Sequence, residues 1–192
     1  MNARPGFWSR SALAVLAAAV LGPPLAAQDY YSARMLTGKA PVEPPTVLIR
    51  VEVNGYTTQD EVIRLLEVLN EEGNNAFVAA FKSMKKGVVR IIDRRGWNLQ
   101  VHAAQVIPTE KGRKLQCFLI REAWNPETTM TVKKAGFFML LELDLNEKGT
   151  GTGRLYQDAG IRLHPETGLI EMTSFGSAPK VITMVKTEKA GT

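Results

Sequence analysis

The run "NEKGTGTGRLY", Asn146 to Tyr156, is the one stretch dense enough in glycine to suggest a phosphate cradle. Such a cradle follows a strand and opens a helix, because the helix N-terminus supplies the free N–H groups and the positive dipole end that hold phosphate. The preceding strand is present, with Phe137, Met139, Leu141, Leu143 and Leu145 on one face. The helix is not. "GRLYQDAGIRL" has no helical stripe, and no lysine followed by serine or threonine ends the run. The run is therefore expected to turn a hairpin at Asn146-Glu147-Lys148-Gly149, with Gly151 and Gly153 permitting a bulge or strong curvature in the next strand.

Other reactive side chains are sparse. The two histidines, His102 and His164, stand far apart in sequence, and a metal site wants three or four convergent ligands. His102 is expected on the polar face of its strand with Asn98 and Gln100, and His164 at a turn before Pro165. Ser32, Ser83, Ser174 and Ser177 all lack the G-x-S-x-G context of an activated nucleophile. Glu142 and Asp144 share a strand face, and their alternation with Leu141 and Leu143 reads as a solvated face; an acid–base pair assembled from distant strands stays open. Cys117, the only cysteine, sits in the apolar run "LQCFLI" and reads as a buried small hydrophobe. No residue qualifies as a catalytic, cofactor-binding or metal-binding position, so a non-enzymatic protein without a cofactor is expected.

What remains are binding candidates. "KSMKKGVVRIIDRRG" contains Lys82, Lys85, Lys86, Arg90, Arg94 and Arg95, balanced only by Asp93. Lys82, Lys85 and Lys86 complement a helix C-terminus, while Lys85, Lys86, Arg94 and Arg95 together could meet an anionic surface. Arg50 or Arg121, if turned inward, could fix a carboxylate by paired hydrogen bonds. Trp124, in the long break "EAWNPETTMTVKKA" from Glu122 to Ala135, suits an exposed contact anchor.

The elements that must carry these residues begin after a leader. Arg4 and Arg10 precede the apolar "ALAVLAAAVLG", then Pro23, Pro24 and small residues follow, the pattern of a secretory signal peptide over 1–27 cut before Gln28. The apolar stretch is shorter than the roughly 20 residues of a membrane span, so no transmembrane segment is expected. Loss of Arg4 and Arg10 lowers the formal charge from +5 to +3. That mild balance gives no support to nucleic-acid binding, whose footprint is a clustered basic face. Export to the periplasm or outside the cell with one cysteine leaves no internal disulfide, so an apolar core must hold the fold.

Residues 28–45, with Gly38, Pro41, Pro44 and Pro45, read as an extended lead-in or linker, 46–187 as a single β-rich domain and 188–192 as a tail. "TVLIRVEV" alternates Val47, Ile49, Val51 and Val53 with Arg50 and Glu52 as a half-buried strand. Thr58 and Glu61 have capping-box spacing, Val62, Leu65, Leu66 and Leu69 share a helical face, and Gly73 stops that helix. Asn74 or Asn75 is expected to cap a second helix with Phe77, Ala80, Phe81 and Met84 on one face. After Gly87 come only strand patterns, punctuated by Gly96, Glu110-Lys111-Gly112, Lys148-Gly149 and Glu166-Thr167-Gly168, so an antiparallel meander follows. The expected fold is α+β, mainly β: about eight strands in a barrel or strongly curved sheet, with a helical hairpin after the first strand.

The segments "VEVNGYTTQDEVIRLLEVL", "KSMKKGVVRI", "GWNLQVHAAQ", "LELDLNEKGTGTGRL" and "GLIEMTSFG", in that order, resemble an uncharacterised family of secreted bacterial proteins over most of the mature domain. The resemblance implies secretion and one β-rich domain, and brings no activity or site residue. In order of elements alone, strand, helical hairpin and meander are similar to intracellular fatty-acid-binding proteins and, more loosely, to lipocalin-type barrels, where such a hairpin would cap one end. Two readings result: a non-enzymatic exported carrier of a small apolar or amphipathic ligand, or a cell-envelope interaction module binding a protein, polymer or membrane surface.

Overall fold

A computed structural model describes residues 28–36, 46–92, 98–120 and 138–189. Its elements are β1 (Asp29–Leu36), β2 (Thr46–Val53), α1 (Gln59–Glu71), α2 (Asn74–Ser83), β3 (Gly87–Ile91), β4 (Asn98–Thr109), β5 (Gly112–Ile120), β6 (Phe138–Asn146), β7 (Thr150–His164), β8 (Leu169–Phe175) and β9 (Lys180–Glu188). Neighbouring strands pair antiparallel from β1 to β7, β7 pairs with β9, and β9 returns to β1. The sheet thus closes into an eight-stranded barrel, in which each of these strands has a neighbour on both sides. The expected mainly β, antiparallel barrel with a helical hairpin is the fold the chain adopts.

One strand more precedes the hairpin than expected. Residues 29–36, assigned by sequence to the lead-in, form β1, which pairs with β2 from Asp29↔Val53 to Leu36↔Thr46 and with β9 on its other side. Its inward positions are Tyr31, Ala33 and Met35, a weak alternation beside prolines and glycine. Two flanking ladders, rather than its own propensity, make it a strand.

The long β7 serves two partners along one edge. Thr150 to Leu155 pair with β9, and Ala159 to His164 pair with β8, with a register break at Gly160/Ile161. The β7–β8 arm packs on the outside of the barrel: Ile170 is buried among Phe118, Leu140 and Tyr156. The helices lie against that same outer surface. Val62 and Leu65 of α1 and Phe77 and Phe81 of α2 pack on Ala103, Phe118, Ile120, Phe138 and Leu140. The edge-to-face approach of Phe81 to Phe138, at 5.2 Å, adds to the buried area. The hairpin therefore covers a side wall, whereas the carrier comparison expected it over a barrel end.

The capping box at Thr58 is formed: its side chain accepts from Glu61 N at 3.3 Å, and Glu61 Oε2 accepts from Thr58 N at 2.9 Å. Gly73, at φ +83, ends α1 and also stands at the N-cap of α2, where no side chain caps the helix, so neither Asn74 nor Asn75 plays that part.

The glycine run is a hairpin. Gly149 N donates to Asn146 O at 2.9 Å, and the Asn146 side-chain oxygen accepts from Lys148 N and Thr150 N. Gly149 sits at φ +72, and a Cβ there would meet Thr187 Oγ1 at 2.6 Å. Gly151 is needed for a different reason: its Cβ would lie 1.8 Å from the Asp144 carbonyl oxygen across the ladder.

Two stability measurements follow from this geometry. Thr58→Ala should lower unfolding free energy by about 1 kcal/mol in denaturant titration, and no change would place the start of the helix elsewhere. Gly149→Ala should cost about 1 kcal/mol through its positive φ, and Gly151→Ala about 1–3 kcal/mol, because a strand rather than a side chain must move. The reverse ranking would contradict the close approach of β6 and β7.

Candidate functional site

The barrel interior is closely packed. Tyr31, Ile49, Val51, Leu115, Cys117, Leu119, Leu141, Leu143, Ile182 and Val185 are each at most 1% exposed and form one core. The void lined by Met35, Ile49, Val89, Ile91, Leu99, Leu119, Leu141 and Leu155 measures about 20 Å³, room for one water. Burial of Cys117 pushes its thiol up to about 12, so it stays protonated at neutral pH.

One mouth of the barrel holds a polar cluster. Tyr56 Oη donates to Asp29 Oδ2 in a short hydrogen bond, Tyr31 Oη reaches the same oxygen at 3.5 Å, and Arg113 Nη2 donates to Tyr31 Oη at 3.4 Å. Desolvation, with the Asp29 carboxylate second, raises both phenols above the ordinary tyrosine range. Beside it an open groove of about 560 Å³ runs between the β4–β5 and β6–β7 hairpins, with Lys111, Arg113, Lys114 and Asp144 in its lining.

On the outer wall a row of polar groups crosses three strands in register, Gln105↔Gln116↔Glu142. Gln105 Nε2 donates to Gln116 Oε1 at 2.6 Å, Gln116 Nε2 donates to Glu142 Oε2 at 2.9 Å, and Lys114 Nζ reaches Glu142 Oε1 at 3.2 Å. Partial burial works against the Lys114 charge, but the Glu142 and Asp144 carboxylates hold it above the usual lysine range. Gln105 also accepts from Ile170 N at 2.9 Å and donates to Ile170 O at 2.7 Å, so its amide acts as a strand partner that docks β8. Glu142 was expected on a solvated face; it is 7% exposed because this network covers it, while Asp144 is exposed. The row is structural in chemistry: every member is satisfied.

Among the described residues, neither helix nor arm packs on the remaining outer surface, over β9, β1, β2 and β3. Register sorts it into rows. Glu188, Tyr30, Glu52 and Val88 are neighbours in one, and Lys186, Ser32, Arg50 and Arg90 in the next. A third contains Thr183, Arg34 and Leu48, with Ile92 N donating to Leu48 O. Both acids are engaged by the neighbouring row: Arg50 pairs with Glu188 at 3.5 Å and Arg90 with Glu52 at 3.0 Å.

Arg50 thus points outward, between the inward Ile49 and Val51, and cannot serve as an internal carboxylate anchor. Lys86 is tied to Glu61 at 2.6 Å and is half-buried, whereas Lys85 is exposed, so the basic hairpin end presents less free charge than its sequence suggested. Arg94, Arg95, Arg121 and Trp124 lie outside the described residues. His102 is 7% exposed, its Nδ1 3.0 Å from Met84 O and its ring against Phe81. It was expected on a polar strand face, but α2 covers that face and a register shift between Val101 and Ala103 breaks the alternation. His164 Nε2 lies 2.9 Å from Glu171 Oε2 across the β7–β8 arm. Among the described residues, no three of His, Cys, Asp and Glu converge on a point that could hold a metal ion, and no helix is long and apolar enough to cross a membrane.

The Arg34 and Lys186 contributions to the open face escaped sequence reading. Cations on separate strands become one row only through the register of β9, β1 and β2, and β1 itself was unread. No family model, curated protein or solved structure matches the chain.

The buried thiol and phenols set an alkaline limit. The unfolded chain releases these protons from the ordinary values, 9.0 for the thiol and 10.0 for the phenols, while the folded chain retains them to higher pH. Stability should therefore be unaffected by these groups below pH 9 and fall as pH rises from there. Denaturant titrations across that range should show the decline, less steeply in Cys117→Ala; an identical slope in the variant would mean that the thiol ionises in the folded state.

Proposed function

We propose that this protein is an exported interaction module of the cell envelope, which works through the outer surface of its barrel. The observation that carries this reading is the contrast, among the described residues, between a closely packed interior and a charged wall on which no helix or arm lies. An apolar ligand needs a cavity of several hundred Å³, and the barrel-core void is about 20 Å³. The face over β9, β1, β2 and β3 instead offers Arg34, Arg50, Arg90 and Lys186 beside exposed Leu36, Ile92, Val181 and Met184. Four large apolar side chains left in water on one face mark a contact surface better than single scattered ones do. The leader-like residues 1–27 support placement outside the cytoplasm. The carrier reading has less behind it: of the two arginines suggested as an internal anchor, Arg50 points outward and Arg121 lies outside the described residues, and the hairpin covers a side wall instead of a barrel end.

Two measurements bear on this. Native mass spectrometry of the protein purified from its own cells should return the bare chain mass, and a stoichiometric apolar adduct would restore the carrier. Immobilised wild type should bind components of its own envelope fraction in a salt-sensitive manner, more strongly than the Arg50→Gln/Arg90→Gln/Lys186→Gln variant does. Equal retention of both would sink the outer-face reading.

A further inference from the structure

We propose that the open face of β9, β1, β2 and β3 docks on an anionic lipid bilayer, a partner assignment that rests on the interaction-module reading. The argument is the order of its rows. Moving along the strands one passes an acidic row, Glu52 and Glu188, then a cationic row, Lys186, Arg50 and Arg90, then Arg34 with Leu48 and Ile92, and last Leu36. Successive rows on one face of a sheet stand about 7 Å apart. An interfacial protein buries its apolar side about 5–10 Å into the headgroup and acyl boundary. The face therefore matches a bilayer in sequence and in scale: apolar tips at the acyl boundary, cations at the level of the phosphates, acids left in water.

Charge points to the same partner. Among the described residues of this face, Arg50 and Arg90 pair with the two acids, so Arg34 and Lys186 are its surplus cations. The backbone contributes as well. Three residue steps of β9, Lys186 to Thr183, face two steps of β1, Ser32 to Arg34, and the extra residue forms a bulge. Within it Met184 is held at φ +55, uncommon for a side chain of this kind, and its side chain is 65% exposed, more than any other large hydrophobic residue described. Val181 projects from the same strand at 46% exposure, and Ile92, the residue after β3, is 47% exposed. A polyanionic polymer would use the cations and leave these side chains in water. A lipid surface uses both.

The test is flotation of the protein, as purified from its own cells, with vesicles of phosphatidylcholine alone or of equal parts phosphatidylcholine and phosphatidylglycerol. Wild type should float with the anionic vesicles, less so as salt rises, and far less with the neutral ones. Arg50→Gln/Arg90→Gln/Lys186→Gln should weaken anionic-vesicle binding about 100-fold, from the usual contribution of a basic side chain near such a surface. The same charge loss placed elsewhere, Lys82→Gln/Lys85→Gln/Lys148→Gln, should leave binding within a few-fold. Ile92→Ser/Met184→Ser should weaken binding without altering its salt dependence. Equal binding to both vesicle types by folded wild type, or equal weakening by the two triple variants, would overturn the proposal. So would retention by envelope extract without any vesicle binding, which would assign the face to a protein or polymer and leave the interaction-module reading standing.

Discussion

Phe118, Leu140 and Tyr156 on the outside of the barrel press against Phe77, Phe81 and Ile170, while Leu115, Cys117, Leu119, Leu141 and Leu143 on the inside of the same strands fill the core. A wall buried on both faces is the constraint from which the rest of the molecule follows. At about 2 kcal/mol for each large apolar side chain removed from water, Phe118, Ile120, Phe138, Leu140 and Tyr156 together represent about 10 kcal/mol, comparable with the whole net stability of a domain. The helical hairpin and the β7–β8 arm therefore belong to the core. Asn54 N donates to Lys86 O at 2.7 Å, so β2 and β3 already meet where the hairpin leaves and rejoins the sheet.

Covering one wall decides where contact with a partner can occur. The interior is packed, the β4–β7 wall is occupied by helices and arm, and the polar row through Gln105, Gln116 and Glu142 serves to seat β8 on it. Among the described residues nothing packs on the β9, β1, β2 and β3 wall, whose charges are arranged by strand register and whose methionine is displayed by a bulge.

The two-sided wall was partly legible in the sequence. "LQCFLI" and "GFFMLLELDL" are near-continuous apolar runs, as strands buried on both faces must be, whereas "TVLIRVEV" alternates as a strand with one wet face must. The capping box at Thr58 and the turn at Gly149 could also be read directly, because their chemistry lies within a few residues. Where a side chain ends up across the barrel could not. His102 and Glu142 look solvent-facing by alternation and are buried by elements distant in sequence. For Arg50 the alternation of "TVLIRVEV" was the better guide: it sets Arg50 on the wet face, where the structure has it, and not inside as a carboxylate anchor. Strand β1 lacks the β-branched residues that signal a strand, and is held by ladders on both sides.

The claim that the hairpin is part of the core is tested most directly by removing it. A chain in which residues 58–85 are replaced by a short Gly-Ser turn keeps every barrel strand, together with Tyr56 and Thr57, and exposes Phe118, Phe138 and Leu140. Denaturant unfolding followed by circular dichroism, with binding of a hydrophobic dye, should show no cooperative transition and strong dye uptake. A cooperative transition close to that of the intact protein, without dye binding, would show that the barrel stands without its outer cover and would contradict the account.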